Sequence, residues 1–184
     1  MIFASGAGSN ANQIIKYFRG HKKINVVLVA GNNKNAGVVD IANKEGLPFL
    51  EFTKARFDAT GYLDILEFYN IDMIILAGFM WKIPLPMIMH YKRRILNIHP
   101  ALLPKFGGKG MFGQHVHEKV ISECEKESGI TIHFVDEIYD HGEIIFQANC
   151  TIASNETAET LAKKIQYLEH IHYPQVIEKV IREL

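Results

Sequence analysis

At 184 residues, 48% hydrophobic and 22% charged, the chain has the size and composition of one ordinary α/β domain able to bury a full core. Lys plus Arg (20) equals Asp plus Glu (20), and the longest cationic run is only Lys92-Arg93-Arg94, which argues against a nucleic-acid binder. The apolar run Met73–Ile83 is broken by Gly78 and Lys82, no basic-then-apolar leader opens the chain, and Cys124 and Cys150 have no metal-ligand spacing; a protein of the reducing cytoplasm, off the membrane, is expected.

In chain order, the turn Ser5-Gly6-Ala7-Gly8-Ser9-Asn10 precedes helical periodicity over Asn12–Arg19. Glycines let backbone N–H groups turn toward an anion, and a helix N-terminus adds unpaired donors, so a single phosphate is the natural guest. The turn lacks the third glycine of the dinucleotide fingerprint, and a plain strand-to-helix connection is the alternative. Ile24–Ala30 predicts a strand buried on both faces, and Ala36–Glu45 a helix ended by Gly46 ahead of Pro48. Phe57–Tyr69 predicts one amphipathic helix, and Met73–Ala77 and Ile95–Ile98 two more buried strands. Strands separated by helices imply a parallel sheet with right-handed crossovers.

The second half differs. Met111–Lys126 reads as a helix ended by Gly129, and Ile130–Val135 and Glu143–Ile152 as an antiparallel pair joined by the polar segment Asp136–Gly142. Asn155 is expected to cap a long helical region that Pro174 kinks or restarts. The expected fold is therefore α/β: a Rossmann-like, mostly parallel half (1–98) continuing into a smaller mixed half (99–184), together one domain.

Ligands of open α/β sheets sit beyond the carboxyl ends of the strands. After the strand ending at Ala77 comes Gly78-Phe79-Met80-Trp81-Lys82-Ile83, whose large side chains either wall a pocket for a flat heterocycle or pack in the core. In Asn97-Ile98-His99-Pro100, residues two apart share a strand face, so an amide and an imidazole project together, a pair suited to a developing oxyanion. Asp140 lies in the later hairpin turn, where a carboxylate reaching His99 would favour the imidazolium. His115 and His117 invite a metal, but two positions on a helix point about 200° apart. Thr131 and His133 alternate with Ile130, Ile132 and Phe134, facing either the site or the wetter side of the sheet.

Gly8-Ser9-Asn10, Ile75–Met80, Ile95–Lys105, Ile132–Val135, Asp140 with Gly142, and Gln166 with Glu169-His170 and Tyr173-Pro174 follow in order over nearly the whole chain. This set resembles the phosphoribosylglycinamide formyltransferases, folate-dependent enzymes of purine biosynthesis. The segment Leu96-Asn97-Ile98-His99-Pro100-Ala101-Leu102-Leu103-Pro104 carries the likeness to folate-dependent formyl transfer in general. The resemblance implies transfer of a formyl group from 10-formyltetrahydrofolate to the amine of glycinamide ribonucleotide. By the same likeness, Asn97 and His99 steady the tetrahedral oxyanion and Asp140 raises the pKa of His99. Gly8, Ser9, Asn10, Gln166 and Glu169 would bind the ribonucleotide, and Met80, Trp81, Lys82, Ile83, Asn97, Asp136 and Tyr139 the folate. No metal, nucleic acid or membrane is implied, only small-molecule substrates and a monomer or homodimer.

Some features depart from the family pattern. Trp81 stands where relatives often carry arginine, and the helix after Phe57 lacks the arginine expected near Thr60 or Gly61; Lys54, Arg56 and Lys82 are the cations left for the folate tail. Gly107–Gly113 reads as a mobile loop beside the site, and the short stretch ahead of Gly6 suggests a start further upstream. Methionyl-tRNA formyltransferase and formyltetrahydrofolate hydrolase share the scaffold but normally add a further domain for which this length leaves no room. A non-catalytic nucleotide- or folate-binding module would not need Asn97, His99 and Asp140 together.

Overall fold

Strand β1 (Ile2–Phe3) lies between β2 (Val29–Gly31) and β4 (Ile74–Leu76) and runs parallel to both, with β3 (Phe49–Glu51) parallel to β2. The order β3-β2-β1-β4 belongs to the first of two compact units, Met1–Leu96 and Asn97–Leu184, in the computed structural model, which describes residues 1–184. β1, β2 and β4 are buried throughout, as their apolar sequences require. Helix α1 (Ser9–Phe18) buries Ala11, Ile14, Ile15 and Phe18, a stripe at helical spacing. It is followed by α2 (Gly37–Lys44), α3 (Lys54–Thr60), α4 (Leu63–Phe68) and α5 (Leu85–His90).

Two expectations change in this unit. Only Val29–Gly31 of the second strand forms a ladder, because β1 begins with Ile2 opposite Val29 and offers Ile24–Val27 no partner. The helix expected over Phe57–Tyr69 is two helices, since Gly61 (φ 60°) and Tyr62 (φ 56°) are left-handed and end α3. Tyr62 is held there by its buried ring and by the Thr53 N–H, which donates to its hydroxyl at 2.8 Å.

In the second unit the order is β5-β6-β7, where β5 (Ile95–His99) enters the unit at Asn97 and β6 (Glu127–Phe134) pairs antiparallel with β7 (Ile144–Thr151). A bulge between Ile132 and His133 shifts the register: Ile132 faces Phe146, but His133 faces Ile144. Helix α6 (Gln114–Ser122) is shorter than the stretch Met111–Lys126, and Gly129 lies inside β6 rather than ending that helix. Helix α7 (Ala158–Glu183) packs on α6 and β6. Its N-cap is Thr157 in a capping box with Thr160, not Asn155. The helix runs on through Pro174, whose lost backbone donor is offset by burial beside Tyr173, Val176 and Ile177. A parallel first unit and a second with an antiparallel hairpin make the mixed α/β class anticipated from the sequence. No helix is long and apolar enough to cross a membrane.

Candidate active site

Alternation along β5 buries Leu96 and Ile98 and leaves Asn97 half-buried, with His99 only 3% exposed. Both polar side chains meet Asp140. Its Oδ2 is 3.5 Å from His99 Nδ1, and its Oδ1 is 3.4 Å from Asn97 Nδ2. Asp140 takes up a left-handed backbone (φ 55°), a conformation that aspartate tolerates better than most residues.

A fourth side chain joins them. His133 Nδ1 lies 2.8 Å from its neighbour's carbonyl, Phe134 O, which can only accept, so this nitrogen carries the proton. In the neutral ring Nε2 is then an acceptor, and Asn97 Nδ2 donates to it at 3.1 Å. His133 Nε2 is also 3.6 Å from Asp140 Oδ1. The same reasoning fixes His99: Nε2 is 2.7 Å from Phe106 O and donates to it, leaving Nδ1 as the basic nitrogen, turned toward Asp140.

The Phe106–Gly108 backbone completes the cluster. Phe106 is left-handed (φ 57°), which aims its carbonyl at His99, and the Gly108 N–H donates to Asp140 Oδ2 at 2.9 Å. Gly107 permits this approach. A Cβ there would stand 2.5 Å from Leu103 Cδ2 and 3.2 Å from Asp140 Cβ.

Burial holds the His99 pKa below its ordinary value, and the Asp140 charge and the Phe106 carbonyl only partly offset it. The net direction is thus opposite to the rise implied by the family resemblance, although Asp140 itself acts in the expected sense. Burial alone would raise the Asp140 carboxyl, but the rings of His133 and His99 and the Gly108 N–H hold it below the usual range. The pair is therefore poised as a neutral imidazole beside a carboxylate at neutral pH. His117 is depressed by burial and by the charge of His99, and its Nδ1 is buried without a hydrogen-bond partner. His115 is exposed on α6 while His117 is buried, so the two do not converge, and no three His, Cys, Asp or Glu side chains are placed to hold a metal.

In the first unit, Gly8 caps α1 in a left-handed conformation (φ 76°), with Ser9 opening the helix and Asn10 buried within its first turn. A Cβ on Gly8 would sit 2.8 Å from Val38 Cβ. The Ser5 N–H donates to Gly78 O (3.1 Å) and the Met80 N–H to Ser5 Oγ (3.0 Å), so the glycine turn and the segment after β4 are tied together. Met80 and Lys82 are exposed, Ile83 is buried, and Trp81 lies at the edge of an aromatic cluster with Phe57 and Phe79. Lys54 stands over the Trp81 ring, 5.1 Å from its centroid, and also pairs with Asp58. Arg56 is committed to Asp64 at 2.6 Å and lies over Tyr62.

In the second unit, Asp136 accepts from the Ile138 N–H (2.8 Å) and lies 3.0 Å from His141 Nδ1, while Tyr139 is exposed. Gln166 and Glu169 stand on α7, exposed and half-buried respectively. Sequence reasoning left His133 undecided between site and sheet. Its place two residues from Thr131 on a strand was the available signal, whereas the main-chain parts played by Phe106 and Gly108 had none beyond the glycine content of the loop.

A family model described as formyl transferase matches residues 1–177. The chain is 40% identical over 189 aligned positions to the chloroplastic phosphoribosylglycinamide formyltransferase of Arabidopsis thaliana, covering 99% of this chain and 65% of that protein. The protein of the same name from Vigna unguiculata is 38% identical, with 99% and 60% covered. The chain thus spans less than two thirds of the length of these curated relatives. Among solved structures, phosphoribosylglycinamide formyltransferase from Bacillus halodurans superposes with a TM-score of 0.89 at 35% identity, over 98% of this chain and 93% of that one. The enzyme of the same name from Anaplasma phagocytophilum gives 0.90 at 31% identity, with 99% and 86% covered. With a family match over nearly its whole length and a shared fold, the chain belongs to the formyl transferase family.

Proposed function

We propose that this chain transfers a formyl group from 10-formyltetrahydrofolate to the primary amine of glycinamide ribonucleotide, in purine biosynthesis. The observation that carries the reading is the convergence of Asn97, His99, Asp140 and His133 in one buried cluster of the second unit. Attack of the amine on the formyl carbon turns its oxygen into an oxyanion. Asn97 Nδ2 is the donor for it, because its 3.4 Å contact to Asp140 is long and easily redirected while His133 keeps the amide oriented. His99, neutral and protonated on Nε2, takes the amine proton at Nδ1. Asp140 then stabilises the imidazolium at 3.5 Å, and the proton passes to the departing folate nitrogen as the carbon–nitrogen bond breaks. Neither step calls for a metal.

Gly8, Ser9 and Asn10, at the N-terminus of the ten-residue α1, are assigned the substrate phosphate, and Gln166 and Glu169 its ribose side. Met80–Ile83, Asn97, Asp136 and Tyr139 are assigned the pterin, with Ile83, being buried, contributing backbone. Arg56 is occupied by Asp64 and Lys54 is engaged with Trp81 and Asp58, so Lys82 is the cation left for the folate tail. The free Cys124 and Cys150 suit a cytoplasmic setting.

The test is purified protein with 10-formyltetrahydrofolate, with and without glycinamide ribonucleotide. Amine-dependent release of tetrahydrofolate is expected. Release at the same rate without the amine would make the protein a hydrolase, and no release from folded protein would make it a binding module.

A further inference from the structure

Thr131 and Gln147 face each other across the β6–β7 ladder, and the mechanism above leaves both unused. Thr131 is fully buried, yet its hydroxyl is saturated by the chain that follows the catalytic strand: it donates to Ala101 O at 2.7 Å and accepts from the Leu103 N–H at 3.0 Å. Its remaining lone pair accepts from Gln147 Nε2 at 2.9 Å. The other hydrogen of that amide goes to Leu103 O at 3.1 Å. Every direction in this set is determined, because the two carbonyls only accept and the Leu103 N–H only donates. A hydroxyl and an amide thus satisfy three backbone groups of a segment that joins neither a helix nor a strand.

That segment is the bridge between His99 and Phe106. The two residues are seven apart, and the bond from His99 Nε2 to Phe106 O closes the loop between them. Where the Phe106 carbonyl stands therefore depends on where Ala101 and Leu103 are held. The carbonyl in turn decides which ring nitrogen carries the proton. Two residues along β6, His133 does the corresponding work for Asn97. One face of the hairpin thus orients both members of the catalytic strand.

We propose that Thr131 and Gln147 are positioning residues for His99: by clamping Ala101–Leu103 they hold the Phe106 carbonyl on Nε2 and keep Nδ1 as the proton-carrying atom. The catalytic consequence rests on the transfer reaction proposed above, but the effect on the ring does not. Without the clamp the ring also populates the tautomer protonated on Nδ1, which cannot accept the amine proton there.

The test uses Thr131→Val, which keeps shape and removes the hydroxyl, Thr131→Ser, which restores it, and Gln147→Leu, at an exposed position of β7. Nitrogen-15 spectra of the histidine rings read the tautomer directly, and steady-state kinetics read turnover. Thr131→Val and Gln147→Leu should mix the His99 tautomers and lower kcat by about 10- to 100-fold, with KM for the amine changed by less than about threefold. Thr131→Ser should keep the wild-type tautomer and most of kcat. If Thr131→Val does not fold, Gln147→Leu against wild type decides by the same readings. An unchanged Nε2-protonated ring in the folded variants overturns the proposal, as does a serine variant as impaired as the valine one. Should the wild-type protein prove inactive in formyl transfer, the tautomer alone still decides the clamp, and the two failures stay separate.

Discussion

His99 gives its Nε2 proton to the main-chain oxygen of Phe106 at 2.7 Å, while its other nitrogen lies 3.5 Å from Asp140. This arrangement assigns the two ring nitrogens different duties. One donates to the main chain, and the other faces the carboxylate. A carboxylate beside a basic nitrogen stabilises the ring after it has gained a proton, whereas burial keeps it neutral beforehand. The two effects oppose each other, and burial prevails, so the net shift is downward.

The pH dependence follows with a definite sign. The pKa of His99 is held below its ordinary 6.5, so kcat/KM for formyl transfer should stay flat as pH falls to 6.5 and decline only below it. Asp140 acts to raise that pKa, so Asp140→Asn should shift the acidic limb to still lower pH. The same change should cost about 10²-fold in kcat through loss of the imidazolium's partner. A limb that moves upward in Asp140→Asn would contradict the assignment.

Asn97 and His133 share a hydrogen bond and should therefore act as a unit. Asn97→Ala is expected to lower kcat by about 10²- to 10³-fold, as loss of one oxyanion donor does, and His133→Ala by about tenfold through misorientation of the amide. Combining them should add little to Asn97→Ala alone. Multiplicative losses in the double variant would show that His133 acts independently of Asn97.

Gly8→Ala meets two obstacles at once, a left-handed φ of 76° and a Cβ contact of 2.8 Å with Val38. The combined strain should cost about 1–3 kcal/mol of stability and displace the α1 N-terminus from α2. Calorimetry should report a lower Tm, and KM for the ribonucleotide should rise about tenfold or more with little change in KM for the folate. Equal effects on both substrates would remove the phosphate from this turn.

Acid should destabilise the fold earlier than its carboxylates alone would. His99 and His117 have folded pKa values below 6.5, so the unfolded chain binds more protons as pH drops past that value, and stability falls with it. The depressed carboxyl of Asp140 adds a further loss at lower pH, as it too is protonated. Urea titrations at neutral and mildly acidic pH should show this decline. His117→Leu should flatten it and add about 1 kcal/mol at neutral pH by removing a buried Nδ1 without a partner. A lower urea midpoint for that variant at neutral pH would mean that the ring contributes packing that leucine cannot replace.

Period two along Asn97-Ile98-His99 was enough to pair an amide with an imidazole, since a strand has only two faces. Asp140 was not legible by the same rule. It reaches the pair through a left-handed turn and a backbone loop drawn onto it at Gly107, and neither leaves a periodic trace. Ile24–Val27 carries a strand's composition but lacks a neighbour to pair with, a fact set by where β1 starts. The break at Gly61-Tyr62 was hidden because a buried tyrosine in a left-handed conformation looks like any helical apolar residue.

The bulge in the hairpin bears on how this protein can change over generations. Ile145 is the extra residue of β7 between the partners of Ile132 and His133, and Asp140 hangs from the turn just beyond. Side chains at Glu137 and Ile138 face solvent and are free to drift. The number of residues from His133 to Ile144 is not. A one-residue deletion or insertion there would be absorbed by most surface turns, but here it would pull the carboxylate off the imidazole, so descendants of this chain should vary the letters of that turn and keep its length.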